Sequence, residues 1–145
     1  MKTRILIGDI ISAAMLLLLL YTALSKLADY RGFTFVLSRS ALLHPFAGTI
    51  VWLLPASEIA TVLLLFFPST RLKGLYTSVF LLTCFSCYLG FVLLFSPDVP
   101  CNCGGVLKSL SWPQHIVFNF LFLALAITGI ALYNKAAIPV GHTPP

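Results

Sequence analysis

Long apolar stretches, separated by short segments containing charges, proline or glycine, dominate the pattern of this chain. Four stretches reach the length of about 20 residues that a helix needs to cross roughly 30 Å of hydrocarbon. They are Ile5–Leu24, Phe46–Phe67, Leu75–Phe95 and Pro113–Tyr133. Because an α-helix satisfies its backbone hydrogen bonds internally, it is the natural structure for such a segment in lipid. The pattern therefore predicts an all-α integral membrane bundle of four helices.

The longest predicted loop, Ser25–Pro45, has a helical pattern of its own. Arg31 and Arg39 lie among apolar residues that recur at helical spacing, namely Phe33, Val36, Leu37 and Ala41. This arrangement is typical of a short amphipathic helix lying in the membrane interface. We therefore expect an interfacial helix between spans 1 and 2, within a membrane domain covering residues 1–134. Residues 135–145 are polar and proline-rich, and we expect a disordered tail there.

The composition supports a membrane protein and excludes several other classes. Hydrophobic residues make up 59% of the 145 residues and charged residues only 9%, against about 25% charged in soluble domains. The nine Lys and Arg residues are scattered singly, so no basic patch indicates a nucleic-acid partner. The sequence shows neither a nucleotide-binding loop nor a complete hydrolase triad. The partner that the composition indicates is the lipid bilayer.

The distribution of positive charge gives a weak prediction of topology. With four spans, five Lys and Arg residues share a side with both termini, and four lie on the opposite side. Positive residues favour the cytoplasmic side. We therefore expect both termini in the cytoplasm of a bacterial cell, with the loop between spans 3 and 4 on the periplasmic face of the inner membrane.

That loop, between Ser96 and Trp112, contains the segment Pro100–Gly105 with two cysteines, Cys101 and Cys103. Proline and glycine give the segment a defined backbone shape. A disulfide across one intervening residue is strained and therefore easily reduced. Such a pair suits thiol–disulfide exchange on an oxidising membrane face. The alternatives are small loop residues, one structural bridge, or a Cu(I) or zinc site with His115 as third ligand.

Polar residues near the start of the fourth span extend this candidate site. His115 and Asn119 are four residues apart, so they share one helix face close to the cysteine loop. A histidine there could lower a thiol pKa or transfer a proton during exchange. The alternative is that both side chains form hydrogen bonds between helices.

Within the membrane, two further features are candidates for function. Cys84 and Cys87 lie three apart near the middle of the third span and could form a relay that passes electrons from the loop pair to quinone. The alternative is that they are inert packing residues.

Glu58 lies near the centre of the second span, where an ionisable group is a functional candidate by default. Lys26 and His115 are its candidate partners.

The sequence resembles the methylamine-utilisation MauE family, within the DoxX-like group of four-helix membrane proteins. The resemblance covers about residues 5–133. It is carried by Ala23–Asp29, Leu54–Glu58, Pro100–Gly105, Leu110–Trp112, His115 and Asn119. Cys84 and Cys87 are not part of this pattern.

The resemblance implies a role in maturation of methylamine dehydrogenase, whose small subunit is rich in disulfides, beside a thioredoxin-like partner in the periplasm. Our first hypothesis is therefore a redox accessory protein, a component of a thiol–disulfide oxidoreductase system, with Cys101, Cys103 and His115 as catalytic residues. The second is a non-catalytic subunit or docking protein of a larger assembly. The third is a small transporter or metal handler that uses Glu58 and His115.

Overall fold

A computed structural model describes residues 2–40, 42–95 and 111–137, except the side chains of Trp112 and Ala137. Its helices are α1 (Lys2–Ala28), α2 (Tyr30–Arg39), α3 (Ala47–Phe66), α4 (Arg71–Phe95) and α5 (Trp112–Ala137). A single 3-10 turn, His44–Phe46, leads into α3. Within the described ranges, four helices are long and apolar enough to span a membrane: α1, α3 with its preceding turn, α4 and α5. The predicted all-α membrane bundle is confirmed.

The four long helices form an up-and-down bundle. Around the bundle the order is α1, α3, α4, α5, since α1 packs on α3 and α5 while α4 packs on the same two helices. The central layer is apolar and includes Met15, Leu19, Leu65, Leu75 and Ala126, all at most 4% exposed. We call the end where α1 and α4 finish the loop end, and the opposite one the termini end.

Helix α2 is the predicted interfacial helix. Its N-cap, Asp29, accepts a hydrogen bond from the backbone N–H of Gly32 at 3.1 Å, which satisfies one of the helix's first donors. Phe33 and Leu37 are buried in a small cluster with Ala47 and Val51 of α3. The helix thus lies against the loop end of the bundle through its apolar face.

The helices extend beyond the apolar stretches that predict them. Helix α1 runs from Lys2 to Ala28, and α5 continues to Ala137. Hydropathy marks only the part of a helix that crosses the hydrocarbon, whereas the polar ends continue the same backbone hydrogen bonding into the interface. Residues 135–137, which we assigned to the tail, are therefore helical, and residues 138–145 lie outside the described part of the chain.

A polar contact joins three helices at the termini end. Asp9 Oδ1 accepts hydrogen bonds from Arg71 Nη1 at 2.6 Å and from Tyr133 Oη at 2.5 Å. The ion pair is partly open, with side-chain exposures of 26% for Arg71 and 38% for Asp9. The contact connects α1, α4 and α5 while the two charges remain partly accessible.

The close approach of α3 and α4 generates the first prediction. A Cβ on Gly74 would lie 2.8 Å from Leu65 Cγ and 2.9 Å from the Leu65 backbone nitrogen. We expect Gly74→Ala to lower the free energy of unfolding by about 1–3 kcal/mol, because the backbone of α3 must move to admit the methyl group. The measurement is unfolding of the purified protein in mixed detergent micelles.

The matched control is Gly90→Ala on the same helix, where a Cβ would meet nothing within 4 Å. Its stability should stay within about 1 kcal/mol of wild type, since alanine favours a helix over glycine. Equal losses for the two variants would contradict the packing of α3 on α4.

Candidate functional site

A buried ion pair joins the first and second spans, between Lys26 near the loop end of α1 and Glu58 in the middle of α3. Lys26 Nζ lies 2.8 Å from Glu58 Oε1, and the two side chains are 3% and 9% exposed. Thr22 Oγ1 also donates to Glu58 Oε1 at 3.3 Å, and Lys26 Nζ donates to the Thr22 carbonyl at 3.3 Å. Thr22 and Lys26 are four residues apart, so one face of α1 supplies all the described donors to the carboxylate.

The pairing explains how two charges can lie inside an apolar bundle. Moving a single carboxylate or ammonium out of water is very unfavourable, and the mutual attraction of the pair compensates only when geometry and hydrogen bonding are good. Here the carboxylate of Glu58 meets an ammonium and a hydroxyl directly. Of the two partners that the sequence offered for Glu58, the structure shows Lys26 bound to it.

Helix α5 brings the other polar residues to the same level. At its start Gln114 Oε1 accepts a hydrogen bond from the backbone N–H of Ser111 at 2.8 Å, which is one of the two bonds of a capping box. This start places His115 and Asn119 on the inward face, where they are 1% and 5% exposed. Both residues line a small cavity of about 50 Å³ together with Thr22, Lys26 and Glu58.

Two buried polar atoms at this cavity are left without a hydrogen bond to any described residue. They are Glu58 Oε2 and Asn119 Nδ2. The first is an acceptor and the second a donor. The cluster formed by Thr22, Lys26, Glu58, His115 and Asn119 is named the polar cluster below. Chemically it combines a carboxylate, an ammonium and an imidazole, which are groups that hold and transfer protons.

Cys84 and Cys87 lie elsewhere on α4. Both have free thiols and are exposed on the surface of the bundle. They line a second, larger cavity of about 560 Å³ between α2, α3 and α4. Its lining is almost entirely apolar, and Lys26 is the one charged residue among the described residues around it. The predicted relay cysteines therefore face an apolar space rather than the polar cluster, although Lys26 borders both.

Cys101 and Cys103 lie outside the described residues. The described chain nevertheless places both ends of their segment, since α4 finishes at Phe95 and α5 begins at Trp112 on the loop end. The polar cluster extends from this end, where Lys26 and His115 lie, to Glu58 in the middle of α3. Among the described residues, no three His, Cys, Asp or Glu side chains gather closely enough to bind a metal ion.

Sequence reasoning found Glu58, with Lys26 and His115 as its candidate partners, and Asn119 on the same helix face as His115, and it missed Thr22. Lys26 ends an apolar stretch, a position where lysine commonly extends to the interface, so its burial is not evident from hydropathy. The signal that could have found Thr22 is its spacing of four from Lys26, opposite a glutamate in the next span. A lysine and a glutamate at compatible depths in adjacent helices are expected to pair.

The fold and the polar cluster define a class: a four-helix integral membrane protein with a buried ion pair near the attachment of a cysteine-bearing segment. Within this class, the chain belongs to the MauE family, because the profile described as methylamine utilisation protein MauE matches residues 4–132. This membership confirms the resemblance and links the protein to methylamine utilisation. Neither the curated proteins nor the solved structures gave a match.

The buried ion pair generates the second prediction. Lys26→Met leaves Glu58 without its ammonium, and Glu58→Gln leaves Lys26 without its carboxylate. We expect each single substitution to lower the free energy of unfolding by about 3–5 kcal/mol, because one uncompensated charge stays buried. The double variant should lose clearly less than the sum, since both charges are gone.

The control for this cycle is Asp9→Asn at the termini end, whose ion pair with Arg71 is partly exposed. Its loss should be about 1 kcal/mol, as for other accessible pairs. Additive losses for Lys26→Met and Glu58→Gln would mean that the two side chains do not interact energetically.

Proposed function

We propose that this protein is a redox accessory protein of the bacterial inner membrane that exchanges thiol–disulfide equivalents with a periplasmic thioredoxin-like partner. Cys101 and Cys103 carry the exchange, and His115 assists proton transfer. The exchange would serve maturation of an exported protein, of the methylamine dehydrogenase type. Family membership supports the link to methylamine utilisation, and the cysteine segment supports the chemistry.

The observation that carries the proposal is the position of the polar cluster. Four buried polar side chains from three helices lie between the middle of the bundle and the loop end, where the cysteine-bearing segment is attached: Lys26, Glu58, His115 and Asn119. Polar and ionisable groups inside a membrane are costly and usually mark function. The termini end, by contrast, has a partly exposed ion pair that its position in the interface explains.

The chemistry balances without an additional reactant. A thiolate of one cysteine attacks the partner's disulfide to form a mixed disulfide, and the second cysteine then attacks the mixed disulfide and releases the partner as a dithiol. Two electrons pass from the pair to the partner, and the proton lost by each thiol is taken up by each departing sulfur. The reverse direction follows the same steps. A nearby imidazole favours the thiolate and can transfer these protons.

In a relay version of this function, Cys84 and Cys87 extend electron transfer to quinone. Two thiols would be oxidised to a disulfide, and the quinone would take up their two electrons and two protons to become a quinol. The observation that favours this version is the apolar cavity of about 560 Å³ that both cysteines line, since 300–1,000 Å³ is the usual range for ligand pockets.

The orientation of the protein follows from the same chemistry. Disulfide exchange is sustained in the periplasm and suppressed in the cytosol. The loop end must therefore face the periplasm, with both termini in the cytoplasm, which agrees with the small excess of positive residues beside the termini.

The third prediction tests this function by thiol labelling in intact cells. A membrane-impermeant maleimide is applied before and after mild reduction to a chain carrying Cys84→Ser and Cys87→Ser, so that only the loop cysteines react. We expect labelling of Cys101 and Cys103 only after reduction, because the strained pair is oxidised yet easily reduced. Cys101→Ser and Cys103→Ser in the same background are the matched controls. In each variant the remaining loop cysteine should be labelled by the maleimide without reduction, or should be found in a mixed disulfide with a partner.

Other outcomes would decide between the alternatives. Free labelling of both cysteines without reduction would contradict the labile disulfide and favour a docking or metal-handling role. Labelling only after cell lysis would place the loop end in the cytoplasm and rule out the periplasmic mechanism. A loop disulfide that resists mild reduction would identify a structural bridge.

A further inference from the structure

The small cavity at the polar cluster is lined by several polar residues, which are rare inside a membrane bundle. It lies between all four long helices, and its polar lining consists of Thr22, Lys26, Glu58, His115 and Asn119. The large cavity, in contrast, is lined almost wholly by apolar groups. The two spaces therefore differ in the kind of molecule they suit, and the small one suits a polar molecule.

Two of the polar residues present atoms that have no partner in the described chain. Glu58 is 7% exposed and Asn119 is 5% exposed, and their Oε2 and Nδ2 atoms are buried without hydrogen bonds. Leaving a buried donor or acceptor unsatisfied costs about 1–3 kcal/mol, and more for a charged group. Unsatisfied groups of this kind in a native protein require an explanation.

The dimensions of the cavity supply that explanation. A cavity needs roughly 10–15 Å³ of accessible space to hold a water molecule, and the water needs two to four polar partners. The space at the polar cluster is about 50 Å³. Glu58 Oε2 can accept a hydrogen bond from a water, and Asn119 Nδ2 can donate one to it.

We propose that this cavity is a water-binding site within the membrane, where one or two water molecules bridge Glu58 Oε2 and Asn119 Nδ2. Lys26 and Thr22 hold one carboxylate oxygen, and the bound water solvates the other. A water in this position still has an O–H and a lone pair for the other polar groups of the cavity.

The ligand is water rather than a small ion, for electrostatic reasons. Lys26 and Glu58 already neutralise each other. The remaining ionisable group that lines the cavity is His115, from α5, and α4 contributes only apolar residues: Leu81, Leu82 and Phe85. A bound cation would be repelled by Lys26 and a bound anion by Glu58. Water is neutral and can both donate and accept hydrogen bonds, so it satisfies Glu58 Oε2 and Asn119 Nδ2 together. The inference depends on the polar cluster alone and not on the thiol chemistry of the loop.

Radiolytic hydroxyl-radical footprinting of the full-length protein in lipid nanodiscs tests the proposal, since radicals formed from bound water oxidise the side chains beside it. The readout is mass-spectrometric oxidation of Leu19 and Leu82, which are buried and line the small cavity. The controls are Leu65 and Leu75, which are 2% and 0% exposed, against 4% and 6% for Leu19 and Leu82, and line neither cavity. We expect several-fold greater oxidation of the first pair than of the second.

Two variants sharpen the test. Asn119→Leu removes the donor and fills the space, so oxidation of Leu19 and Leu82 should fall to the level of the controls. Ser86→Ala removes a third unpartnered buried polar atom, which borders neither cavity, and should leave the pattern unchanged.

Either of two results would overturn the proposal. Equal oxidation of both leucine pairs in the wild type would show a dry cavity, and this comparison holds even if Asn119→Leu does not fold. Unchanged oxidation of Leu19 and Leu82 in a folded Asn119→Leu variant would show that Asn119 holds no water there.

Discussion

The ion pair between Lys26 and Glu58 is the interaction on which the arrangement of this bundle depends. Lipid tails are as apolar as the helix surfaces, so the hydrophobic effect does not drive helices together inside a membrane. Packing and polar contacts determine the register instead. A 2.8 Å contact between Lys26 and Glu58 fixes α1 against α3, because any sliding of one helix along the other would leave a charge unpaired in hydrocarbon. The inward face of α5 then supplies His115 and Asn119 at the same level.

The two ends of the bundle use charge differently. At the termini end, Asp9, Arg71 and Tyr133 join three helices while remaining partly exposed. In the polar cluster, between the middle of the bundle and the loop end, the charges are almost fully enclosed, and two of the cluster's polar atoms remain without partners in the described chain. The charges at the termini end thus stay partly accessible, whereas those of the polar cluster are enclosed by the helices. The MauE family membership and the cysteine segment attached at the loop end give the polar cluster its proposed role.

The sequence was sufficient to predict the architecture because hydropathy and helix length are nearly decisive in a membrane. The four spans follow from stretches such as Phe46–Phe67, and the interfacial helix follows from Phe33 and Leu37 between Arg31 and Arg39. The site was only partly predictable. Glu58 and His115 stand out because ionisable residues are rare in spans, but the burial of Lys26 and the role of Thr22 depend on how deep the neighbouring helices lie.

The central claim is that the polar cluster assists chemistry at the loop cysteines and is more than a structural contact. The most direct test is the rate of thiol–disulfide exchange at Cys101 and Cys103 in His115→Gln, once circular dichroism and gel filtration show that the variant is folded. General acid–base assistance is worth about 10²–10⁴-fold in rate, so the account predicts exchange slower than wild type by about 10²-fold or more. Exchange at the wild-type rate in the folded variant would contradict the account and leave His115 with a structural role alone.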